Sequence, residues 1–320
     1  MKRLWTVLAS LALVVGLTAC GLQAPERANI VDTLAAEGDF GELLGLVTEF
    51  LDADTVAALA SDEAGPFTVF APTDAAIAAF LDMDEVKAAL AGPSEEELIE
   101  ALLLYHVLAG RYTPQALIAA GSETTLAGIN LFFGADGAGW ALNQATQDVA
   151  VAGGPIQATN GTIYVIDEVL LPPTLAEIAI LSPDFDVLVA ALSEAGLVPA
   201  VNNPFAPALT VFAPTDAAFG AALEALGITA EQLLASDDLS SILLYHVVPG
   251  RLAAADVIAA VTAGAGTASV PTLLGPAIDV TIVDGGVVLN DEVNVIVTDV
   301  FAINGVIHVI DFVLLPPTEQ

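Results

Sequence analysis

Basic residues and cysteine are scarce in this sequence. Its 320 residues include 6 Lys and Arg, 3 His and 1 Cys, against 40 Asp and Glu. A surface of that charge repels phosphate backbones and anionic lipid headgroups, which argues against nucleic acid as a partner. A single cysteine excludes a disulfide within one molecule, so the fold must depend on its hydrophobic cores. The charge favours basic partners, although a solvated acidic surface is the simpler interpretation.

Catalytic and metal-binding motifs are also missing. The sequence contains no Gly-x-Ser-x-Gly and no His-Glu-x-x-His, and its Asp-bearing loops lack the oxygen spacing of a calcium loop. His106 and His246 lie in apolar runs, where an imidazole is usually a hydrogen-bonded core residue. The third histidine, His308, replaces Tyr164 at a matching position, which argues against a shared ligand role. We therefore expect no enzyme, no metal and no cofactor.

The first 19 residues have the pattern of a signal peptide. Lys2 and Arg3 precede the apolar run Leu4–Leu17, which is too short for a comfortable membrane span. The run ends in Leu-Thr-Ala-Cys20, which resembles the lipobox of bacterial lipoproteins. That resemblance implies cleavage before Cys20, acylation of Cys20 and a short tether over residues 20–28. We expect an extracytoplasmic protein held on the cell membrane or outer membrane through this anchor only; the alternative is an ordinary secretory signal with an incidental Cys20.

Three sequence blocks occur twice in the same order. The nonapeptide TVFAPTDAA occupies Thr68–Ala76 and returns at Thr210–Ala218. A Tyr-His pair inside an apolar run follows each copy, and a block of the form NG-x-I-[YH]-VID-x-VLLPPT closes each repeat, at offsets of 142, 140 and 144 residues. Such a long period predicts a duplicated domain, with the copies at residues 29–173 and 174–318. Thr174 and Glu177 predict a capping box at the start of the second copy.

Within each repeat, helical patterns come first and strand patterns later. One early strand is predicted at residues 66–71, and a later one at residues 124–133. Helices followed by strands predict an α+β fold in which helices lie beside a mostly antiparallel sheet.

The repeated blocks resemble the fasciclin domain of animal adhesion proteins and bacterial surface proteins. The resemblance implies a β-wedge or sandwich of about seven strands with helices packed along it. It also implies adhesion or matrix association, and in animal members the Tyr-His region engages integrins. Tyr105-His106 and Tyr245-His246 match that pair, whereas no Arg-Gly-Asp occurs.

Two functions of different classes are compatible with these features. The first is cell-surface adhesion or matrix and envelope interaction, with an unidentified envelope or extracellular protein or glycan as the partner. The alternative is a binding module for a small apolar ligand or a glycan, which predicts an apolar cavity of several hundred Å³.

Two sets of side chains are candidates for structural or partner-binding roles. Because a buried imidazole needs hydrogen-bond partners, we expect Thr73 or Asp74 to lie within reach of His106, and Thr215 or Asp216 near His246. Arg111 and Arg251 occupy the same place in the two repeats. We expect each to form a hydrogen-bonded pair with an acidic or carbonyl group of its own domain, which makes both candidates for ion pairs.

Overall fold

The computed structural model describes residues 28–91, 95–135, 140–142, 149–264 and 266–317. The predicted signal peptide and Cys20 lie outside these ranges. Within the described ranges, no helix has the length and apolar character needed to cross a bilayer.

The first repeat folds into helices and one sheet. Its helices are α1 Ile30–Glu37, α2 Gly41–Phe50, α3 Ala53–Leu59, α4 Asp74–Asp82, α5 Asp84–Leu90, α6 Glu95–Tyr105 and α7 Pro114–Ala120. Its strands are β1 Phe67–Pro72, β2 Val107–Ala109, β3 Ser122–Thr124, β4 Asn130–Gly134, β5 Ala141–Leu142, β6 Val149–Ala158 and β7 Gly161–Ile166.

The second repeat has the same order of elements with small differences. Its helices are α8 Leu175–Leu181, α9 Asp186–Glu194, α10 Val198–Val201, α11 Asp216–Leu226, α12 Ala230–Leu234, α13 Leu239–Tyr245 and α14 Ala254–Ala263. Its strands are β8 Leu209–Pro214, β9 Val247–Pro249, β10 Thr267–Pro271, β11 Ala277–Val283, β12 Gly286–Leu289, β13 Val293–Ala302 and β14 Gly305–Ile310.

Each repeat forms a seven-stranded sheet around one parallel strand pair. The strand order is β2-β1-β7-β6-β5-β4-β3 in the first sheet and β10-β11-β12-β13-β14-β8-β9 in the second. The early strand pairs in parallel with the last strand, β1 with β7 and β8 with β14, and the remaining pairs are antiparallel. The predicted α+β fold with about seven strands per domain is confirmed.

Strand β1 separates two hydrophobic cores because successive side chains of a strand point to opposite faces. Val69 and Ala71 pack into the core beneath the helices, with Leu43 and Leu103. Phe70 packs on the opposite face in an aromatic core with Tyr164, whose ring centroid lies 5.8 Å away. Burying one such aromatic ring contributes roughly 1.5–3 kcal/mol to the unfolding free energy. Because its side chains enter both cores, β1 stabilises both layers.

The two domains meet without a spacer. The predicted capping box is present: the Thr174 hydroxyl accepts from the Glu177 amide at 3.2 Å, and the Glu177 carboxylate accepts from the Thr174 amide at 2.8 Å. The Ile303 amide donates to the Pro173 carbonyl at 3.0 Å. Phe301, at the end of β13, packs against the aromatic core of the first domain. The second domain therefore begins directly on the last residues of the first.

Some elements differ from the sequence-based expectation. The pattern at residues 124–133 predicts one strand, but the chain turns within it and forms β3 and β4 as an antiparallel pair. The Thr125 amide and hydroxyl both bond to the Ile129 carbonyl, at 3.1 and 2.8 Å, and close this turn. The hydroxyl of a strand-forming residue thus stabilises a turn, which the alternating pattern does not reveal.

Candidate functional site

The repeated nonapeptide forms a strand-to-helix corner. Thr73 is the N-cap residue of α4, and its hydroxyl accepts from the Ala76 amide at 3.2 Å. The Asp74 carboxylate points away from α4 and accepts from the amides of Gly41 and Glu42, at 3.1 and 2.8 Å. Because the N-cap residue of α2 makes no side-chain capping bond, Asp74 supplies that cap from a distant part of the chain.

The second domain repeats this arrangement. The Thr215 hydroxyl accepts from the Ala218 amide at 3.1 Å, and the Asp216 carboxylate accepts from the Val187 amide at the start of α9, at 2.8 Å. Both corners therefore join the early strand, β1 or β8, to two helices, and both acidic side chains are used as helix caps.

Both tyrosines of the Tyr-His pairs are buried. The Tyr105 hydroxyl donates to the Asn130 carbonyl at 3.1 Å, and burial raises the pKa of Tyr105. The Tyr245 hydroxyl donates to the Ala277 carbonyl at 3.1 Å and accepts from the Asn290 amide group at 3.0 Å. Each tyrosine, the last residue of α6 or α13, thus connects its helix to the start of an outer strand of its sheet, β4 or β11.

Each histidine of the pairs forms what we call a histidine clamp, a bridge between two backbone groups. The His106 amide bonds to the Leu103 carbonyl, three residues back, which leaves the Leu102 carbonyl open at the end of α6. His106 Nδ1 donates to that carbonyl at 2.7 Å, and Nε2 accepts from the Leu170 amide at 3.0 Å. The clamp therefore ties α6 to the segment that leaves the domain.

The second clamp has the same geometry. His246 Nδ1 lies 2.8 Å from the Ile242 carbonyl, and Nε2 accepts from the Leu314 amide at 2.9 Å. Burial is the main cause that lowers the pKa of each clamp histidine to about 4, while the hydrogen bond to the helix carbonyl acts in the opposite direction. Both imidazoles are therefore neutral at pH 7.

The predicted partners of the histidines are wrong. Neither Thr73 nor Asp74 bonds to His106. The Thr73 hydroxyl and the Asp74 carboxylate cap helices instead. The same holds for Thr215 and Asp216 with respect to His246. The histidines do lie in the core, but backbone groups at a helix end and in the exit segment satisfy them.

The two arginines bind carbonyl groups rather than carboxylates. Arg111 donates to the Gly161, Ala158 and Thr159 carbonyls at 2.7, 3.2 and 3.1 Å, and to the Gln157 side chain at 2.9 Å. Arg251 donates to two carbonyls at the equivalent turn, those of Ala302 and Ile303, at 3.0 and 2.9 Å. Of the two predicted kinds of partner, acidic or carbonyl, both arginines thus have the carbonyl kind within their own domain. Among the described residues only Lys87 and Asp82 form a salt bridge, so the ion-pair form of the prediction is corrected.

We expect Arg111→Ala to lower the unfolding free energy by about 1–2 kcal/mol, because carbonyls of the β6–β7 turn lose a charged donor. Arg111→Lys should recover part of this loss, since an ammonium cannot reproduce the planar fork. Urea unfolding followed by Trp140 fluorescence measures the change, with Lys87→Ala as the control for loss of a surface cation. A loss below about 0.5 kcal/mol in Arg111→Ala would contradict the assignment.

A buried asparagine in each domain was not singled out by its sequence pattern, which indicates only a hairpin turn. Asn160 Oδ1 accepts from the Ile30 amide at 2.9 Å, and Nδ2 donates to the Leu59 carbonyl at 2.8 Å. Asn304 makes the matching bonds to the Leu175 amide and the Val201 carbonyl, at 2.9 and 3.0 Å. The recurrence of an asparagine before a glycine in both repeats is the only sequence signal for this role.

The exchange of Tyr164 for His308 preserves one hydrogen bond. The Tyr164 hydroxyl donates to the Tyr112 carbonyl at 3.0 Å, and His308 Nε2 lies 2.8 Å from the carbonyl of Leu252, the residue that corresponds to Tyr112. His308 Nδ1 accepts from the Asp299 amide at 3.3 Å. His308 therefore also has a structural partner on each ring nitrogen.

The cavities beside the clamp histidines are small and apolar. Those bordering His106 hold about 50 and 40 Å³, and the one bordering His246 holds about 30 Å³. Pockets for small-molecule ligands usually hold roughly 300–1,000 Å³. These cavities fall well short of the size that the ligand-binding alternative predicts.

Family comparison agrees with this duplicated geometry. The model of the fasciclin domain matches residues 39–172 and again residues 183–316. The chain belongs to the fasciclin domain family. Its two sheets and two corners are therefore the two copies of that domain.

Similar proteins occur in bacteria and animals. The chain is 46% identical over 149 residues to protein sll1483 of Synechocystis sp., across 45% of this chain and 74% of that protein. It is 28% identical over 303 residues to the transforming growth factor-beta-induced protein ig-h3 of Sus scrofa, across 93% of this chain but 39% of that protein. It is 35% identical over 111 residues to the cell surface glycolipoprotein MPB83 of Mycobacterium bovis, across 34% of this chain and 45% of that protein.

A solved structure shows the same fold. The fasciclin domain pair from the insect cell adhesion molecule fasciclin I aligns with a TM-score of 0.54 and 19% identity, across 88% of this chain and 98% of that one. The likeness concerns the fold alone.

The fasciclin fold here buries the Tyr-His pairs: Tyr105 is 0% and His106 5% exposed, and Tyr245 and His246 are 2% and 3% exposed. A partner of the folded domain therefore meets almost none of the surface of these side chains.

Proposed function

We propose that this protein is an extracytoplasmic lipoprotein that mediates surface adhesion or envelope and matrix contact through its two fasciclin domains. The observation that carries the proposal is that fasciclin domains fill the described chain while Cys20, the only cysteine, follows an apolar run of signal-peptide length. In this proposal, residues 1–19 are removed, residues 20–28 form the acylated tether, and the domains occupy residues 29–173 and 174–318.

The names of two similar proteins support the proposal. One is a cell surface glycolipoprotein and the other an insect cell adhesion molecule. None of the similar proteins named above carries the name of an enzyme. The small size of the cavities beside the histidines favours adhesion over the alternative of a small apolar ligand.

The proposed partner contacts lie on the domain surfaces. The Tyr-His pairs, the corner residues and the two arginines form hydrogen bonds within their own domains, and we propose structural roles for them. The partner is then an envelope or extracellular protein or glycan that touches exposed side chains. A pull-down from the organism's own envelope fraction with residues 21–320 as bait tests this contact.

Cys20→Ser is expected to remove the lipid anchor, because serine offers no thiol for the acyl chains that would hold the protein on the membrane. The variant should appear in the soluble extracytoplasmic fraction or as an unprocessed precursor. Fractionation and intact-mass measurement of both proteins check this, with Thr18→Ser as a matched control that keeps the cysteine. A Cys20→Ser protein that stays membrane-bound and is cleaved at the same place would refute the lipoprotein assignment.

A further inference from the structure

An apolar patch lies on the sheet of the second domain. We call Val283, Ile296 and Val297 the β13 patch; these side chains are 54%, 53% and 47% exposed. By strand register, Val297 opposite Val309 corresponds to Ala152 opposite Val165, and Ile296 is an additional residue without a counterpart. The second domain therefore has two large β-branched residues where the first domain has one alanine.

The backbone of β13 presents this patch. The pairing of β13 with β14 shifts between Val295 and Val297, so Ile296 is the additional residue of a β-bulge. Bulges redirect side chains and are frequent beside binding sites. Val283 lies at the end of β11, where it pairs with Gly286 of β12. Gly286 has no side chain that could cover Val283 or the residues beside it. Phe301, at the far end of the same strand, contacts the first domain, so that contact does not cover the patch.

Acidic residues border the β13 patch. Asp284 follows Val283 in the β11–β12 turn, and Asp311 bonds to Asn294 near the start of β13 at 2.8 and 2.7 Å. Asp299 lies two positions beyond Val297, and one of its carboxylate oxygens accepts from the Ala254 amide at 2.8 Å. A surface of apolar side chains with a negative border is complementary to apolar side chains accompanied by positive charge. An anionic membrane surface is repelled by the same border.

A second copy of this chain does not supply that positive charge from its described residues. The described cations are Lys87, Arg111 and Arg251. Lys87 bonds to Asp82, and both arginines bond to carbonyls of their own domain. With 40 acids against 6 basic residues, two copies repel each other.

We infer that the β13 patch is a docking surface for a cationic polypeptide segment that carries apolar side chains. The apolar side chains cover Val283, Ile296 and Val297, and the basic side chains meet the surrounding carboxylates. This inference goes beyond the adhesion function and does not depend on the lipid anchor.

Peptide binding to the full chain in a non-ionic detergent tests the inference. The probe is an eight-residue peptide of alternating Lys and Leu, compared with Lys/Ser and Glu/Leu peptides of the same length by fluorescence anisotropy.

We expect one Lys/Leu peptide to bind per chain, with weaker binding at higher salt and no binding of the Glu/Leu peptide. Ile296→Ala with Val297→Gly, which removes both large side chains of the patch on β13, should weaken binding at least tenfold. Leu226→Ala with Ile258→Ala removes exposed apolar side chains elsewhere and should leave it unchanged.

Three outcomes would overturn the inference. They are equal affinity of the Lys/Ser and Lys/Leu peptides, unchanged binding by the Ile296→Ala and Val297→Gly variant, and displacement of the peptide by zwitterionic vesicles or by self-association of the chain. Ile296→Thr with Val297→Thr keeps strand-forming residues at both positions and should weaken binding similarly, which separates loss of contact from loss of fold. Circular dichroism verifies that all three double variants are folded.

Discussion

Between pH 6.5 and pH 4 each domain is expected to lose about 3 kcal/mol of unfolding free energy through its histidine clamp. An unfolded histidine has a pKa near 6.5, whereas burial holds the pKa of His106 and His246 at about 4. Between these values only the unfolded chain binds the proton, so stability falls as the pH falls, by about 1.4 kcal/mol per pH unit for each group. The clamp contribution is complete above pH 6.5 and lost below pH 4.

The comparison of His106→Gln with the original protein isolates this effect. Carboxylates that are protonated in the same range reduce charge repulsion and act in the opposite direction, but they do so in both proteins. The difference in unfolding free energy between the two should therefore shrink by about 3 kcal/mol from pH 7 to pH 4. Trp140, the only tryptophan after the predicted signal peptide, reports the first domain in urea titrations. His246→Gln should produce the matching change in the second domain, seen by circular dichroism. A difference that stays constant with pH would refute the assignment.

Asn160→Ala should lower the unfolding free energy of the first domain by about 3 kcal/mol. The substitution leaves the Ile30 amide and the Leu59 carbonyl without their side-chain partner, and each unsatisfied buried group costs roughly 1–3 kcal/mol. The side chain is 2% exposed, so water cannot replace it without a rearrangement. The helix α1 and the end of α3 then lose their attachment to the β6–β7 turn.

Urea titration followed by Trp140 measures this change, and Asn304→Ala is its matched control. The control removes the equivalent bonds in the second domain, so it should shift the Trp140 transition less than Asn160→Ala does. Equal shifts in the two variants would show that the asparagine does not act within its own domain. A change below about 1 kcal/mol in Asn160→Ala would show that neither bond stabilises the fold.

The sequence predicts the architecture because the duplication and the helix caps leave local signals. Thr174 and Glu177 stand three residues apart, and the caps at Thr73 and Thr215 lie within the repeated nonapeptide. The parallel pairing of β1 with β7 leaves no such signal, because it joins residues nearly a hundred positions apart through backbone groups.

The site contacts escape prediction for a related reason. His106 is correctly expected in the core, but its partners are the Leu102 carbonyl and the Leu170 amide, and every residue offers those groups. Arg111 likewise selects a turn by the direction of its carbonyls, so no acidic residue marks the contact. A sequence identifies which side chain needs a partner more readily than which backbone group supplies it.

The shared nonapeptide has a consequence for the fidelity of folding. Strands β1 and β8 pair in parallel with β7 and β14 in the same register, so β1 can in principle accept β14 in place of β7. Such an exchange would bring His308 into the aromatic core that Tyr164 fills. Repeat proteins are prone to this kind of misassembly between neighbouring domains. When the chain is synthesised, β7 is complete 43 residues before β8 begins at Leu209, counting from Ile166. Refolding from denaturant presents both copies at once, so only the difference in shape and polarity between Tyr164 and His308 at this position would then favour the correct pairing.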